Sequence, residues 1–118
     1  METFKLVLPG DLNHYGYLFG GNMLKWVDEY FWIAATTDYP DCTFVTIALD
    51  KVEFRHSVQQ GAILRFDINL LQEGKTSVTY QVNVYRKSVV CCEEVHVFST
   101  NVTFVNVDEA GNKTALVK

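Results

Sequence analysis

NHYGYLFGGNMLKWVDEYFWIAATT, spanning Asn13 to Thr37, decides the fold, because its two halves follow different rules. The first half is a loop that runs into the pair Gly20–Gly21. From Asn22 to Thr37 there is neither Pro nor Gly, and Met23, Leu24, Trp26, Val27, Tyr30, Phe31, Ile33, Ala34 and Ala35 are apolar. These positions cover both sides of a helical wheel rather than one stripe. A helix apolar on most of its circumference has to be wrapped by something. One residue breaks the pattern. Asp28 shares its face with Leu24, Phe31 and Trp32, since residues three and four apart are neighbours on a helix.

An acid among aromatics is costly unless it is paired, exposed at an edge, or used. Lys25, one turn earlier, fits a solvated or salt-bridged Asp28. The functional alternative is a general base or nucleophile beside an apolar pocket. Two turns upstream, Gly20–Gly21 lets backbone approach a ligand closely, and the first N–H groups of the helix can hold a developing oxyanion. One ligand can touch both.

The residues Asn13, Gly16, Leu18, Phe19, Gly20, Gly21, Trp26, Val27 and Asp28 form the pattern Asn-x-x-Gly-x-Leu-Phe-Gly-Gly followed by Trp-Val-Asp. It resembles the signature of hotdog-fold acyl-CoA thioesterases, the acyl-CoA hydrolase family. The resemblance implies hydrolysis of an acyl-CoA thioester to free acid and coenzyme A, with Asp28 as the catalytic acid and Asn13 as the loop asparagine. It also implies a homo-oligomer, at least a dimer, with Gly20 and Gly21 N–H groups at the oxyanion. Two positions depart from the family pattern: Ser57 stands where Pro is usual, and Ala62 where Asp commonly follows Gly. Both lie near the coenzyme path.

With 118 residues, the chain is expected to form one domain. Hydrophobic residues make up 48% and charged residues 20%, which excludes a disordered chain. A net charge of −4 offers no global basic field, so nucleic acid is not an expected partner. No apolar run reaches membrane-spanning length and the start is unlike a signal peptide, so a cytoplasmic protein is expected. Cys42, Cys91 and Cys92 are read as reduced, because an odd number with two adjacent makes a poor disulfide framework. His14, His56 and His96 lack metal spacing, and no metal or other cofactor is expected.

Around the helix the period changes to two. Phe4 to Leu8 is a strand candidate closed by Pro9–Gly10, and the helix ends near Tyr39–Pro40. Strands follow from Phe44 to Phe54, then over Ala62, Leu64, Phe66, Ile68 and Leu70 after a turn at Gln59–Gln60–Gly61. Glu73–Gly74–Lys75 turns the chain into the clearest alternation, Val78, Tyr80, Val82 and Val84 against polar neighbours. Ser88 marks a bend before a last strand, roughly Glu94 to Val107. The expected class is α+β in β-α-β-β-β-β order, a long central helix wrapped by a curved antiparallel sheet. That order fits a hotdog or a cystatin-like fold equally; the glycine–aspartate signature selects the hotdog.

Phosphates of an acyl-CoA would need local cations. Lys75, Thr76 and Ser77 offer an ammonium, hydroxyls and backbone donors together, and Arg55 and His56 follow the second strand. Each also fits a solvated edge residue that blunts strand pairing. Similar thioesterases place the coenzyme near the matching segments, which favours Lys75, Arg55 and His56. The rival function is a non-catalytic acyl-CoA or lipid-binding hotdog module. A hotdog hydratase would need an Asp and His paired between loop and helix. His14 could form a dyad with Asp28, although a loop position at the site mouth suits it better.

Overall fold

The computed structural model describes residues 1–87 and 93–118. Its elements run β1 (Glu2–Leu6), a 3₁₀ turn (Pro9–Asp11), α1 (Gly20–Asp38), β2 (Phe44–Phe54), β3 (Ile63–Glu73), β4 (Ser77–Lys87) and β5 (Glu94–Asn106). All neighbouring strands pair antiparallel, in the order β1-β3-β4-β5-β2. The bend expected at Ser88, and Cys91 and Cys92, lie outside the described residues.

Alternation builds the inner face of this sheet. Leu64, Phe66 and Ile68 from β3, Val78, Tyr80, Val82 and Val84 from β4, and Phe98, Val102 and Phe104 from β5 are all buried against α1. Leu70 was expected on the same face but is 46% exposed. The β3–β4 register shifts between Leu70 and Gln72, and such an irregularity takes the side chain off the pleat. The first strand begins at Glu2 rather than Phe4 and stops at Leu6, because Leu8 caps the 3₁₀ turn and takes Asp11 Oδ2 on its N–H at 2.9 Å.

The helix corrects two expectations. It starts at Gly20, so both glycines form its first turn instead of preceding it. It is also buried on one face only, through Met23, Trp26, Val27, Phe31, Ala34 and Ala35. Trp32 and Ile33 stay about half exposed. Apolar residues therefore surround the helix, but the sheet of one chain reaches one side of it. At its C-terminal end, Tyr39 O–H donates to Glu73 Oε1 at 2.5 Å and Tyr80 O–H donates to Asp38 Oδ2 at 2.7 Å. Burial foremost, then the Glu73 carboxylate, pushes the Tyr39 hydroxyl up to about 12.

Strand β2 is the second uncovered element. It is an edge, 11 residues long, and only Phe44 of it is buried. Val45, Ile47, Leu49, Val52 and Phe54 are exposed. A long apolar edge with unpaired backbone groups is a template for another chain. Lys51 sits in the left-handed region at φ 50°, inside the register shift between Asp50 and Glu53. Among the described residues, no helix is long and apolar enough to cross a membrane.

The outer face carries a charged and aromatic cluster. Arg65 donates bidentately to Glu94 at 2.8 Å for both bonds and lies 4.5 Å over the Tyr85 ring. Tyr85 stacks on His96 at 5.0 Å, and His96 Nε2 is buried with no hydrogen-bond partner among the described residues. Burial first, then the nearby Arg55 charge, lowers the His96 pKa below its usual 6.5. The unfolded chain thus takes up a proton that the folded chain resists, so stability is present above pH 6.5 and is lost as pH falls below it. Thermal melting at pH 7.5 and 5.5 should show a smaller drop in Tm for His96→Phe, which keeps the ring but not the titration, than for the wild type. Equal drops would remove His96 as the cause.

Candidate active site

The Asn13 loop is held by its own side chain. Asn13 Oδ1 accepts from the Tyr15 and Tyr17 N–H groups at 2.9 and 3.2 Å, and Gly16 turns the loop at φ 85°. The amide NH₂ of Asn13 has no partner among the described residues, so its free chemistry is that of a donor. Leu18 N–H on Val58 O at 2.7 Å and Phe19 N–H on Asp11 O at 3.0 Å then deliver the chain to α1.

Gly20 and Gly21 are the first two residues of α1, and the Asn22 and Met23 N–H groups are the first to bond back, both to Phe19 O. A Cβ on Gly20 would lie 3.4 Å from the Phe54 ring, at van der Waals contact, so the start of the helix sits against the end of β2. A cavity of about 240 Å³ opens beside Gly20, Met23, Phe54, Arg55, His56 and Ser57. The Arg55 and His56 N–H groups both donate to Val97 O, at 2.8 and 3.4 Å, which fixes this segment against β5. The Arg55 guanidinium is shared between Glu53 at 2.9 Å and Ser99 Oγ at 3.2 Å. Arg86 Nη1 donates to Ser57 O at 3.4 Å, bringing a further cation to the rim.

Asp28 lies elsewhere. It lines a second cavity, about 390 Å³, with Glu29, Trp32, Ile33 and Thr46. Thr46 Oγ1 donates to Asp28 Oδ1 at 2.9 Å, and Oδ2 is left without a partner among the described residues. A hydroxyl on one oxygen orients the carboxylate and keeps the other available to a proton. Sequence reasoning missed Thr46, one β-branched residue in a strand full of them. Its hydroxyl beside a mid-helix acid becomes visible only when β2 crosses α1. His14 does not take this place; its ring packs on Tyr15 in the exposed loop, with centroids 4.0 Å apart.

Lys75, Thr76 and Ser77 form a third group. Gly74 N–H donates to Ser77 O at 2.7 Å, and a side chain at Gly74 would meet the Ser77 hydroxyl at 2.8 Å, which explains the glycine in this turn. The turn adjoins the C-terminal end of α1 through the Tyr39–Glu73 bond. Arg55 and His56 adjoin the N-terminal end, about 28 Å away for 19 residues at 1.5 Å each. Within one chain the structure therefore brings Gly20, Arg55 and His56 together. It leaves Asp28 in another cavity and Lys75 at the far end of the helix.

Known proteins are similar to this chain in sequence and fold. The Thioesterase superfamily model matches residues 15–93, a stretch that holds Gly20, Gly21 and Asp28. An uncharacterized acyl-CoA thioester hydrolase of Zymomonas mobilis is 29% identical over 104 residues, covering 88% of this chain and 69% of that protein. Mouse acyl-coenzyme A thioesterase 11 is 27% identical over 105 residues, and the match spans 89% of this chain but 18% of the mouse protein. Among solved structures, a hexameric hotdog-fold thioesterase of Campylobacter jejuni superposes with a TM-score of 0.87 at 32% identity, covering 98% of this chain and 88% of that one. The acyl-CoA hydrolase of Staphylococcus aureus, solved with butyryl coenzyme A, coenzyme A and coenzyme A disulfide, gives 0.90 at 25% identity over 98% of this chain and 70% of that one. Of the two folds that the element order allowed, the hotdog is the one found, and the chain belongs to the thioesterase superfamily.

Proposed function

We propose that the protein hydrolyses acyl-CoA thioesters to free acid and coenzyme A, in sites shared between two copies of the chain. The observation that carries this is Asp28, a carboxylate oriented by Thr46 at the mouth of an apolar cavity on the uncovered face of α1. A module that only binds acyl groups gains nothing from a charge whose desolvation opposes binding. The similarity to the acyl-CoA hydrolases and thioesterases supports the same reaction.

In this mechanism Asp28 takes a proton from water, and the hydroxide attacks the thioester carbonyl. The developing oxyanion is held by the N–H groups of Gly20 and Gly21 at the positive end of the helix. The Asn13 amide orients the water or the tetrahedral intermediate. Collapse breaks the C–S bond, and the coenzyme thiolate leaves, taking up the proton that Asp28 holds. Direct attack by Asp28 through an anhydride, later hydrolysed, uses the same groups. Arg55 and His56 at the helix N-terminus, and Lys75, Thr76 and Ser77, would contact the coenzyme. The uncovered helix face and the edge β2 supply the surface for self-association. We place the reaction in the cytoplasm, where a free thiol such as Cys42 stays reduced.

Asp28→Asn keeps the shape but removes the base. Its kcat should fall by about 10²–10⁴ on any acyl-CoA that the wild type hydrolyses, with an unchanged thermal melt. Wild-type turnover in this variant would make Asp28 structural and the mechanism wrong. Wild-type binding of acyl-CoA with no hydrolysis would favour the binding module instead.

Lys75→Ala should raise KM for acyl-CoA several-fold with little change in kcat, since binding common to ground and transition states is lost. The effect should shrink at high salt, which screens an exposed cation. An unchanged KM at low ionic strength would return Lys75 to a solvated edge charge.

A further inference from the structure

The aromatic run Tyr30, Phe31 and Trp32 divides between two environments. Phe31 is fully buried, with its ring 6.4 Å from that of Tyr80, and Tyr30 meets Phe66 edge-on at 5.0 Å. Trp32 points the other way. It is 49% exposed and, with the 45% exposed Ile33, forms the apolar wall of the cavity that Asp28 and Thr46 open. One end of this cavity holds the carboxylates of Asp28 and Glu29 and the Thr46 hydroxyl; one helical turn on, the wall is an indole and a branched aliphatic chain. A polar head joined to a short apolar tail fits that division.

Packing of a partner subunit alone explains the cavity poorly. It would enclose the Asp28 and Glu29 carboxylates against apolar surface, and interface cores are depleted of such charges. An acyl group avoids this, because its carbonyl and the attacking water lie at the carboxylate end. We propose that Trp32 sets the length of the acyl group accepted, confining the substrate to short straight-chain or planar aromatic acyl thioesters. This rests on the thioesterase reading above. Trp32 lies one turn beyond Asp28, about 6 Å along the axis. A straight chain with its carbonyl at Asp28 meets the indole after roughly four or five carbons. A flat aryl group can instead lie against the ring face. Tyr30 and Phe31 take no part, because both face the sheet.

The test is kcat/KM over acetyl-, butyryl-, benzoyl-, decanoyl- and palmitoyl-CoA for the wild type, Trp32→Ala and Trp32→Leu, with oligomeric state checked by light scattering. The wild type should lose about tenfold or more between butyryl- and decanoyl-CoA, the scale at which an apolar pocket discriminates chain length. Trp32→Ala should raise the ratio of kcat/KM for decanoyl-CoA to that for butyryl-CoA about tenfold. Trp32→Leu should fall between, and it carries the test alone if the alanine variant does not fold. Equal wild-type rates on butyryl- and decanoyl-CoA would overturn the proposal. So would an unchanged ratio in both variants, or loss of the oligomer with no change in ratio, which would make Trp32 an interface residue. A wild type inactive on every thioester would instead remove the thioesterase reading, and this inference with it.

Discussion

The rest of the structure depends on one mismatch of surface: α1 presents more apolar area than the sheet of its own chain can cover. Phe31, Val27 and Ala35 are sealed against β3, β4 and β5, whereas Trp32 and Ile33 on the opposite side remain half exposed. The same side of the molecule carries β2, an edge strand whose Ile47 is 51% exposed. Exposed apolar area of this extent, continuous with an unpaired edge, marks an association surface. A second copy paired along β2 could cover that edge and leave the cavity of Asp28 and Trp32 open between the two chains.

The distribution of chemistry follows the same division. The Gly20 and Gly21 N–H groups and the Arg55–His56 segment lie at the helix N-terminus, whereas Asp28 and Thr46 lie on the uncovered face about 10 Å further along, at 1.5 Å per residue. In the proposed mechanism each chain therefore supplies two incomplete halves. Lys75 at the far end is awkward for a site within one chain, but in the proposed dimer a two-fold partner running antiparallel can bring it beside Arg55 and His56. Self-association would then be part of the active site rather than an addition to it.

Much of this was legible in the sequence where one physical rule governs. The alternation Val78, Tyr80, Val82 and Val84 had one reading, and all four are buried; Gly61 turns at φ 84° beside Gln59 and Gln60, where the turn was read. Where two rules compete, the sequence was ambiguous. Leu70 follows the alternation but yields to a β-bulge, a backbone event with no side-chain signature. Gly20 and Gly21 look like loop residues by propensity, yet they open α1, where Gly20 lies against the Phe54 ring and Gly21 against the Phe19 ring. A wheel apolar on most of its circumference could not say which aromatic faced the sheet, so Phe31 and Trp32 were indistinguishable until β4 supplied Tyr80. Thr46 carried no signal, because its role arises from a contact between residues 18 positions apart.

A shared site is tested most directly by mixing two inactive variants, Asn13→Ala and Asp28→Ala. Co-expressed in equal amounts and freely exchanging, they form about half mixed dimers, each with one intact site, so about a quarter of all sites should be active. Thioesterase activity near a quarter of wild type, far above either variant alone, is the expected result. No recovery, with subunit exchange shown by differential tags, would contradict a site built from Asn13 of one chain and Asp28 of the other.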